Sequence, residues 1–207
     1  MEGIYLYRKY AKRGLDIIIA LIGLVFFSPV FIVLAIWIKT DSKGPVIFKQ
    51  RRVGRNKRVF HIWKFRTMLS DAPRDVATHL LDDPNRYLTN PGRFLRRSSL
   101  DELPQLFNIL IGQMSLIGPR PALWNQYDLI EERDKYGANA AVPGLTGWAQ
   151  VHGRDELPIP VKAKLDGEYV NNLSFRLDAA CLLKTFKTVP AGIGVVEGSG
   201  RGFGAGG

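Results

Sequence analysis

The chain has 207 residues, of which 46% are apolar and 23% charged, so it is suited to one folded domain and is not a disordered tail. A net charge of +10 favours an anionic partner, such as nucleic acid, an acidic membrane face or a phosphorylated substrate. A single cysteine excludes an internal disulfide, and the three histidines are scattered without the spacing of a zinc site.

The first predicted element is an uncharged apolar stretch at 17–38. A membrane span needs about 20 apolar residues, whereas a signal peptide would need a small-residue cleavage site after its apolar run. Basic residues flank both ends, and positive charge normally stays in the cytoplasm. Ser28 and Pro29 lie in the middle, where the proline interrupts the helix and the serine hydroxyl can satisfy a freed carbonyl. We therefore predict a re-entrant hairpin with its kink at Ser28 and Pro29, in preference to a straight span or a core helix.

The next predicted elements are two strands. Residues 46–50 (VIFKQ) and 59–65 (VFHIWKF) alternate as strands do, and residues 51–57 between them contain the Gly and Asn of a hairpin loop. Residues 70–92 are polar and carry three prolines, which predicts a surface excursion, and residues 94–111 predict mainly helix. The predicted fold class is mixed α/β, mainly helical, with an N-terminal re-entrant membrane helix hairpin and a small β-hairpin.

The second half begins with a loop. Residues 117–122 (IGPRPA) are predicted to be extended, because a residue that precedes proline is pushed out of the helical region. Residues 122–136 predict an amphipathic helix, residues 143–154 a Gly-rich loop, and residues 169–189 a final helix with one apolar face.

Two adjacent carboxylates occur in the stretch SSLDELPQLFN at 98–108. The spacing from Ser99 to Glu102 matches a capping box, whereas Asp101 as the cap would leave Pro104 in the first helical turn, where proline is tolerated. In both interpretations Asp101 lies at a helix N-terminus, which keeps a carboxylate ionised and also attracts phosphate.

This arrangement offers chemistry as well as capping. A carboxylate can attack phosphorus to give an acyl phosphate, and a divalent cation would be needed to screen the repulsion. Arg93, Arg96 and Arg97 lie upstream and would hold an anion nearby. Arg120, between two prolines, is a second anion-binding candidate, with a structural salt bridge as its alternative. Lys64 on the second strand is a third, with a solvated strand residue as its alternative.

Six motifs in order, within residues 8–190, carry a resemblance to a known family. They are the basic N-terminus with the Ser28-Pro29 hairpin, FKQRRVG (48–54), IWKFRTM (62–68), SSLDELPQLFNIL (98–110), MSLIGPRPAL (114–123) and PGLTGWAQVHGR (143–154). Together they resemble the bacterial sugar transferases, the small monotopic phosphoglycosyl transferases, and most of all their capsular and exopolysaccharide members.

The resemblance implies transfer of a sugar 1-phosphate from a UDP-sugar to undecaprenyl phosphate through a covalent aspartyl-phosphosugar, with release of UMP, at the start of polysaccharide synthesis. It implies Asp101 as nucleophile and ligand of Mg²⁺, with Glu102 as an assisting base. The remaining phosphate- or nucleotide-binding positions that it implies are Lys64, Arg96, Pro119, Arg120, Pro121, Pro143, Gly144, Thr146, Arg154 and Asp166. Departures from the family pattern at Val142 and Gln113 leave the sugar and nucleotide contacts open.

The resemblance also implies an organisation: a membrane helix with a basic flank at 1–40, a cytosolic catalytic domain at 41–190 and a flexible Gly-rich tail at 191–207. The implied location is the cytoplasmic face of the bacterial inner membrane, with the lipid bilayer, undecaprenyl phosphate and a UDP-sugar as partners. Nucleic acid is not expected, because the basic residues follow the membrane flanks and motif loops. The sugar is not specified, and a homo-oligomer is compatible with the sequence. The competing hypothesis is a membrane-anchored scaffold without turnover.

Overall fold

The computed structural model describes residues 6–73, 76, 81, 83–153 and 156–188. Within these residues the chain is mainly helical, with two small sheets of two strands each. In chain order the elements are α1 (Lys12–Phe26), α2 (Ser28–Asp41), β1 (Ile47–Val53), β2 (Val59–Phe65), α3 (Asn90–Ser98), α4 (Gln105–Leu110), β3 (Ser115–Ile117), α5 (Tyr127–Asp134), β4 (Gly144–Thr146), α6 (Ile159–Asn171) and α7 (Phe175–Thr188). The predicted mixed α/β class with a small antiparallel hairpin is confirmed.

The N-terminal apolar segment forms a bent helix pair. Helices α1 and α2 are bent by 61° where they meet. The Ser28 hydroxyl donates to the carbonyl of Val25 at 2.8 Å, and this is the carbonyl that loses its helical partner because Pro29 has no N–H. The bend therefore falls at the predicted residues. Taken singly, none of the helices in the described ranges is long and apolar enough to cross a membrane; this pair meets that criterion only as a unit.

One face of the bent pair belongs to the core of the domain. Ala20 of α1 packs in a cluster with residues of β2 and α4, and Leu34 and Ile38 of α2 pack in a second cluster with Phe65 and Leu95. The apolar residues on the opposite face are exposed, among them Leu21, Ile22, Val25, Phe26, Ile32, Val33 and Ile36. The pair is therefore fixed to the rest of the fold on one side and presents a bare apolar surface on the other.

The β-hairpin is longer than predicted. Strand β1 pairs with β2 from Ile47 opposite Phe65 to Val53 opposite Val59, so residues 51–53 of the loop predicted at 51–57 are strand. The loop prediction rested on the Gly and Asn of this stretch, but Arg51 and Arg52 have partners across the fold that keep their segment extended. The Arg51 guanidinium lies 4.0 Å from the centre of the Trp124 ring, and Arg52 donates to the carbonyl of Pro121 at 3.1 Å.

Three later elements also differ from prediction. The helix predicted at 122–136 is confined to α5, because the segment before it pairs with β1: Val53 donates to the carbonyl of Ala122 at 2.9 Å. The loop predicted at 143–154 contains β4, which pairs in parallel with β3. The final helix begins at Phe175, after a helix that was not predicted, α6. Gly167 weakens the helical signal of α6 in the sequence, because glycine is a poor helix former. A glycine is nevertheless needed at this position, since a Cβ there would lie 2.4 Å from the Cβ of Tyr136.

Two predictions fall wholly or partly outside the described residues. The excursion predicted at 70–92 is described only in part, and its last residues open α3 at Asn90. The Gly-rich tail at 191–207 lies outside the described residues.

Candidate active site

Asp101 and Glu102, called the acidic pair below, lie on a short turn of 3₁₀ helix between α3 and α4. Ser99 adopts the left-handed conformation (φ 57°, ψ 15°), which ends α3 and turns the chain inward. Neither predicted cap forms: Ser99 is the C-cap of α3 and also precedes the 3₁₀ turn, which no side chain caps, and the N-cap of α4 is Pro104. The same left-handed residue breaks the helix predicted at 94–111. Capping therefore does not explain why the acidic pair is there.

Two cations from distant segments converge on the acidic pair. Lys64 of β2 places its Nζ 2.7 Å from Glu102 Oε1 and 3.7 Å from Asp101 Oδ2. Arg120, in the loop after β3, places its Nη2 2.7 Å from the same Oε1 of Glu102. One carboxylate oxygen thus accepts hydrogen bonds from an ammonium and a guanidinium. Two of the sequence-predicted cations are therefore brought to both predicted acids.

The two carboxyl groups have opposite electrostatic environments. Burial raises the pKa of Asp101 above its ordinary value, and the charges of Lys64, Arg96 and Arg120 offset this only in part. Burial acts on Glu102 as well, but the charges and hydrogen bonds of Arg120 and Lys64 outweigh it and hold the pKa of Glu102 well below its usual range. Asp101 therefore carries the more basic, more nucleophilic oxygens, and Glu102 is the firmly held anion.

Arg96 supplies the third cation of the site. It lies in the last turn of α3, and its Nε donates to the hydroxyl of Thr67 at 3.1 Å. Its charge lowers the pKa of Asp101. With Lys64 and Arg120 it makes three cations around two carboxylates, so the site has a net positive charge that favours an added anion.

Asn108 fixes the strand that carries Lys64. Its side chain is fully buried, accepts from the backbone N–H of Trp63 at 3.0 Å and donates to the carbonyl of His61 at 2.8 Å. Its amide also donates to Gln113 Oε1 at 2.8 Å. Because β2 has one strand neighbour, the Asn108 amide takes the place of a second strand at the other edge. Asn108 was not among the predicted residues; its signal was a polar residue within the apolar run QLFNIL.

The loop that carries Arg120 is held by its carbonyls. Pro119 and Pro121 are buried on either side of the half-exposed arginine. Four successive carbonyls accept a hydrogen bond from another segment: Pro119 from the N–H of Gly144 (2.9 Å), Arg120 from Nη2 of Arg133 (2.9 Å), Pro121 from Nη1 of Arg52 (3.1 Å) and Ala122 from the N–H of Val53 (2.9 Å). The backbone of the loop is therefore held by hydrogen bonds from several segments, and this positions the Arg120 guanidinium at the acidic pair.

The predicted residues of the 143–147 segment form the layer beneath this loop. Pro143 and Gly144 are buried, and a Cβ on Gly144 would lie 2.1 Å from the backbone nitrogen of Gly118. The hydroxyl of Thr146 lies 2.8 Å from that of Thr185, whose proton is directed at the carbonyl of Cys181 (2.7 Å), so Thr146 is the donor. In this structure these residues shape the site, and their contact with a nucleotide stays a prediction.

The last two predicted site residues are Asp166, which the structure describes, and Arg154, which it does not. Asp166 is 1% exposed and accepts two hydrogen bonds from Arg133, at 2.8 and 2.6 Å. It lies in the core, and Arg133, to which it is paired, reaches the carbonyl of Arg120. Arg154 lies outside the described residues.

The site is compatible with a magnesium ion shared with substrate. Within the described ranges, His, Cys, Asp and Glu form no group of three or more that could hold a metal ion by itself. Magnesium is commonly held by one or two carboxylates while substrate phosphates complete its coordination. Asp101 suits this role better than Glu102. Lys64 lies 3.7 Å from Oδ2 of Asp101, beyond hydrogen-bond distance, whereas Oε1 of Glu102 accepts from two cations.

Comparison with known proteins assigns the chain to a family. The family model for bacterial sugar transferases matches residues 7–192, and the chain belongs to that family. The resemblance read from the motifs is thereby confirmed.

Three relatives illustrate the similarity. The UDP-N-acetylgalactosamine-undecaprenyl-phosphate N-acetylgalactosaminephosphotransferase of Aeromonas hydrophila is 40% identical over 89% of this chain and 45% of its own length. Galactosyl transferase CpsE of Streptococcus agalactiae is 41% identical over 89% of this chain and 43% of its own length. The uncharacterized sugar transferase EpsL of Bacillus subtilis is 39% identical over 90% of each chain. The chain thus spans less than half the length of the first two relatives.

Proposed function

We propose that this chain transfers a sugar 1-phosphate from a UDP-sugar to undecaprenyl phosphate, the initiating step of capsular or exopolysaccharide synthesis. The observation that carries the proposal is the convergence of Lys64 and Arg120 on the largely buried acidic pair, neither member of which caps a helix. Family membership supports it, and relatives from Aeromonas hydrophila and Salmonella typhimurium are named as undecaprenyl-phosphate sugar phosphotransferases.

The geometry suggests how the residues divide the work. A carboxylate oxygen of Asp101 attacks the phosphorus next to the sugar, the bond to UMP breaks, and an aspartyl-phosphosugar remains. An oxygen of undecaprenyl phosphate then attacks the same phosphorus, which restores the Asp101 carboxylate and yields the lipid diphosphosugar. Lys64 and Arg120 stabilise the negative charge that develops on the phosphoryl oxygens, a role that fixed cations fill in a site largely screened from water. Asp101 would hold a magnesium ion, which would supply the charge that screens the repulsion between the carboxylate and the donor diphosphate.

Glu102 has a different role in this proposal from the base that the resemblance implied. A carboxylate whose pKa is held well below its usual range is a weak proton acceptor. Its Oε1 is instead the common acceptor for Lys64 and Arg120. We therefore assign Glu102 the task of holding both cations beside Asp101.

We further propose that the bent pair α1–α2 enters and leaves the membrane on its cytoplasmic face, in a bacterial inner membrane. The residues at the bend, Val25 and Phe26, are 74% and 73% exposed, and such an apolar surface is unusual on a protein that meets only water. Both flanks of the segment are basic, which favours one side for both ends. The site would then lie at the interface, where the phosphate of a lipid acceptor is found.

The experiment that tests the function is an intact-mass measurement of the purified chain in nanodiscs with Mg²⁺ and a panel of UDP-sugars. A mass gain of one phosphosugar, absent in Asp101→Asn, would establish the covalent route and name the sugar class. UMP release on addition of undecaprenyl phosphate, with no adduct, would mean direct transfer and overturn the role of Asp101. Neither adduct nor UMP over a broad panel would favour the scaffold hypothesis.

A further inference from the structure

Arg133 and Asp166 form a buried ion pair that the proposed chemistry does not use directly. Their side chains are 5% and 2% exposed, and both Nε and Nη2 of Arg133 donate to Oδ2 of Asp166. Arg133 lies near the end of α5 and Asp166 in the middle of α6, so the pair joins two helices. Neither residue approaches the acidic pair by itself.

Stability alone is a weak reason for such a pair. Removing two charges from water is costly, and replacing a buried ion pair by apolar residues of similar volume is often neutral or stabilising. An ion pair is useful where a group must be held in one orientation, because the planar guanidinium directs its donors in fixed directions. The orientation of the Arg133 guanidinium therefore matters for the further hydrogen bond that Arg133 makes outside the ion pair.

This further hydrogen bond of Arg133 reaches the loop that carries Arg120. Nη2 of Arg133, besides its bond to Asp166, donates to the backbone carbonyl of Arg120 at 2.9 Å. The side chain of the same Arg120 donates to Glu102 at 2.7 Å. Hydrogen bonds thus connect Asp166 to Arg133 and Arg133 to the backbone of Arg120. The side chain of Arg120 completes the connection to the acidic pair.

We propose that Arg133 is a positioning residue, oriented by Asp166, that holds the backbone of Arg120 so that its guanidinium stays at the acidic pair. The consequence for catalysis rests on the proposed function, whereas the positioning of Arg120 does not. The assignment also gives Asp166 a role that needs no contact with a ligand.

The test replaces the whole pair, with Arg133→Met and Asp166→Leu in one protein. This double variant leaves no unpaired buried charge, so the fold should be retained, and its melting temperature checks that. A matched control is Lys57→Met with Asp134→Leu, which removes an exposed ion pair between the turn after β1 and the residue that follows Arg133 in α5. If the double variant does not fold, Asp166→Asn, which keeps Arg133 but weakens its orientation, is measured in its place.

Two readouts decide the proposal. In initial-rate assays with a UDP-sugar and undecaprenyl phosphate, we expect kcat to fall about 10- to 100-fold in the double variant and to be unchanged in the control. In an Arg120→Ala background the same double change should have almost no further effect on kcat, because the residue it positions is gone. In protein labelled with ¹⁵N-arginine, the Arg120 guanidinium signal, assigned by Arg120→Lys, should shift in the double variant alone.

The outcomes separate this inference from the proposed function. A folded double variant with an unchanged Arg120 signal and wild-type kcat would overturn the positioning role. An equal loss of kcat with and without Arg120 would also overturn it, since the pair would then act elsewhere. If the wild-type chain turned over none of the donors, the proposed function would fail, and the Arg120 signal would still decide whether Arg133 positions that residue.

Discussion

Replacing Asn108 with leucine tests whether a single buried amide holds the Lys64 strand against the acidic pair. Leucine has the same branched arrangement of side-chain heavy atoms as asparagine but cannot replace its three hydrogen bonds, to Trp63, His61 and Gln113. At about 1 kcal/mol of net stabilisation for each bond, the loss is about 3 kcal/mol of unfolding free energy. For a chain of this size 1 kcal/mol corresponds to about 2–4 °C, so the melting temperature should fall by about 6–12 °C.

The assay is thermal unfolding in one detergent, followed by transferase rates well below both melting temperatures. The control is Asn172→Leu, which removes an exposed amide that donates to the carbonyl of Glu168 at 2.9 Å and should cost about 0.5 kcal/mol or less. We also expect Asn108→Leu to lower the transfer rate while it is still folded, because Lys64 follows Trp63 in β2. A melting temperature no lower than that of the control would refute the reasoning, since the edge of β2 would then not depend on Asn108.

Three further predictions follow from the same geometry. Lys64→Met should lower kcat about 100-fold or more, because it removes a cation that contacts the acidic pair, whereas Lys49→Met on the neighbouring strand should not; equal initial rates would contradict the assigned role. Gly144→Ala should prevent folding or sharply lower the melting temperature, since backbone atoms lie 2.1 Å from the new Cβ, while Gly14→Ala, with nothing within 4 Å, should be neutral or stabilising by about 1 kcal/mol. Val25→Asp should weaken retention on phospholipid vesicles in a flotation assay, and unchanged retention would argue against insertion of the bend.

Predictions from sequence succeeded where a few neighbouring residues decide the outcome. The bend follows from the proline and the hydroxyl beside it, and the existence of the hairpin follows from alternation. They were wrong where a distant partner changes the outcome. Arg51 and Arg52 look like loop residues until Trp124 and the Pro121 carbonyl are placed against them.

The capping error has a similar cause. The spacing from Ser99 to Glu102 fits a capping box, but the left-handed Ser99 ends α3, and no side chain caps the 3₁₀ turn that follows it. That conformation directs Asp101 into the domain, where Lys64 and Arg120 offset part of the cost of burial. Local propensity is a weak guide when tertiary electrostatics favour another backbone path.

By itself the sequence determined the family and the position of the helix bend, and it singled out the acids and cations that the structure brings together. These features depend on residue type and on short spacings along the chain, so they can be recognised without the tertiary structure. Only the tertiary structure decided that Glu102 holds two cations, that Asn108 completes the edge of β2, and that Asp166 is buried behind Arg133. Each of these joins segments far apart in the chain, and such pairings are selected by the packing and desolvation of the whole fold, which no local pattern records.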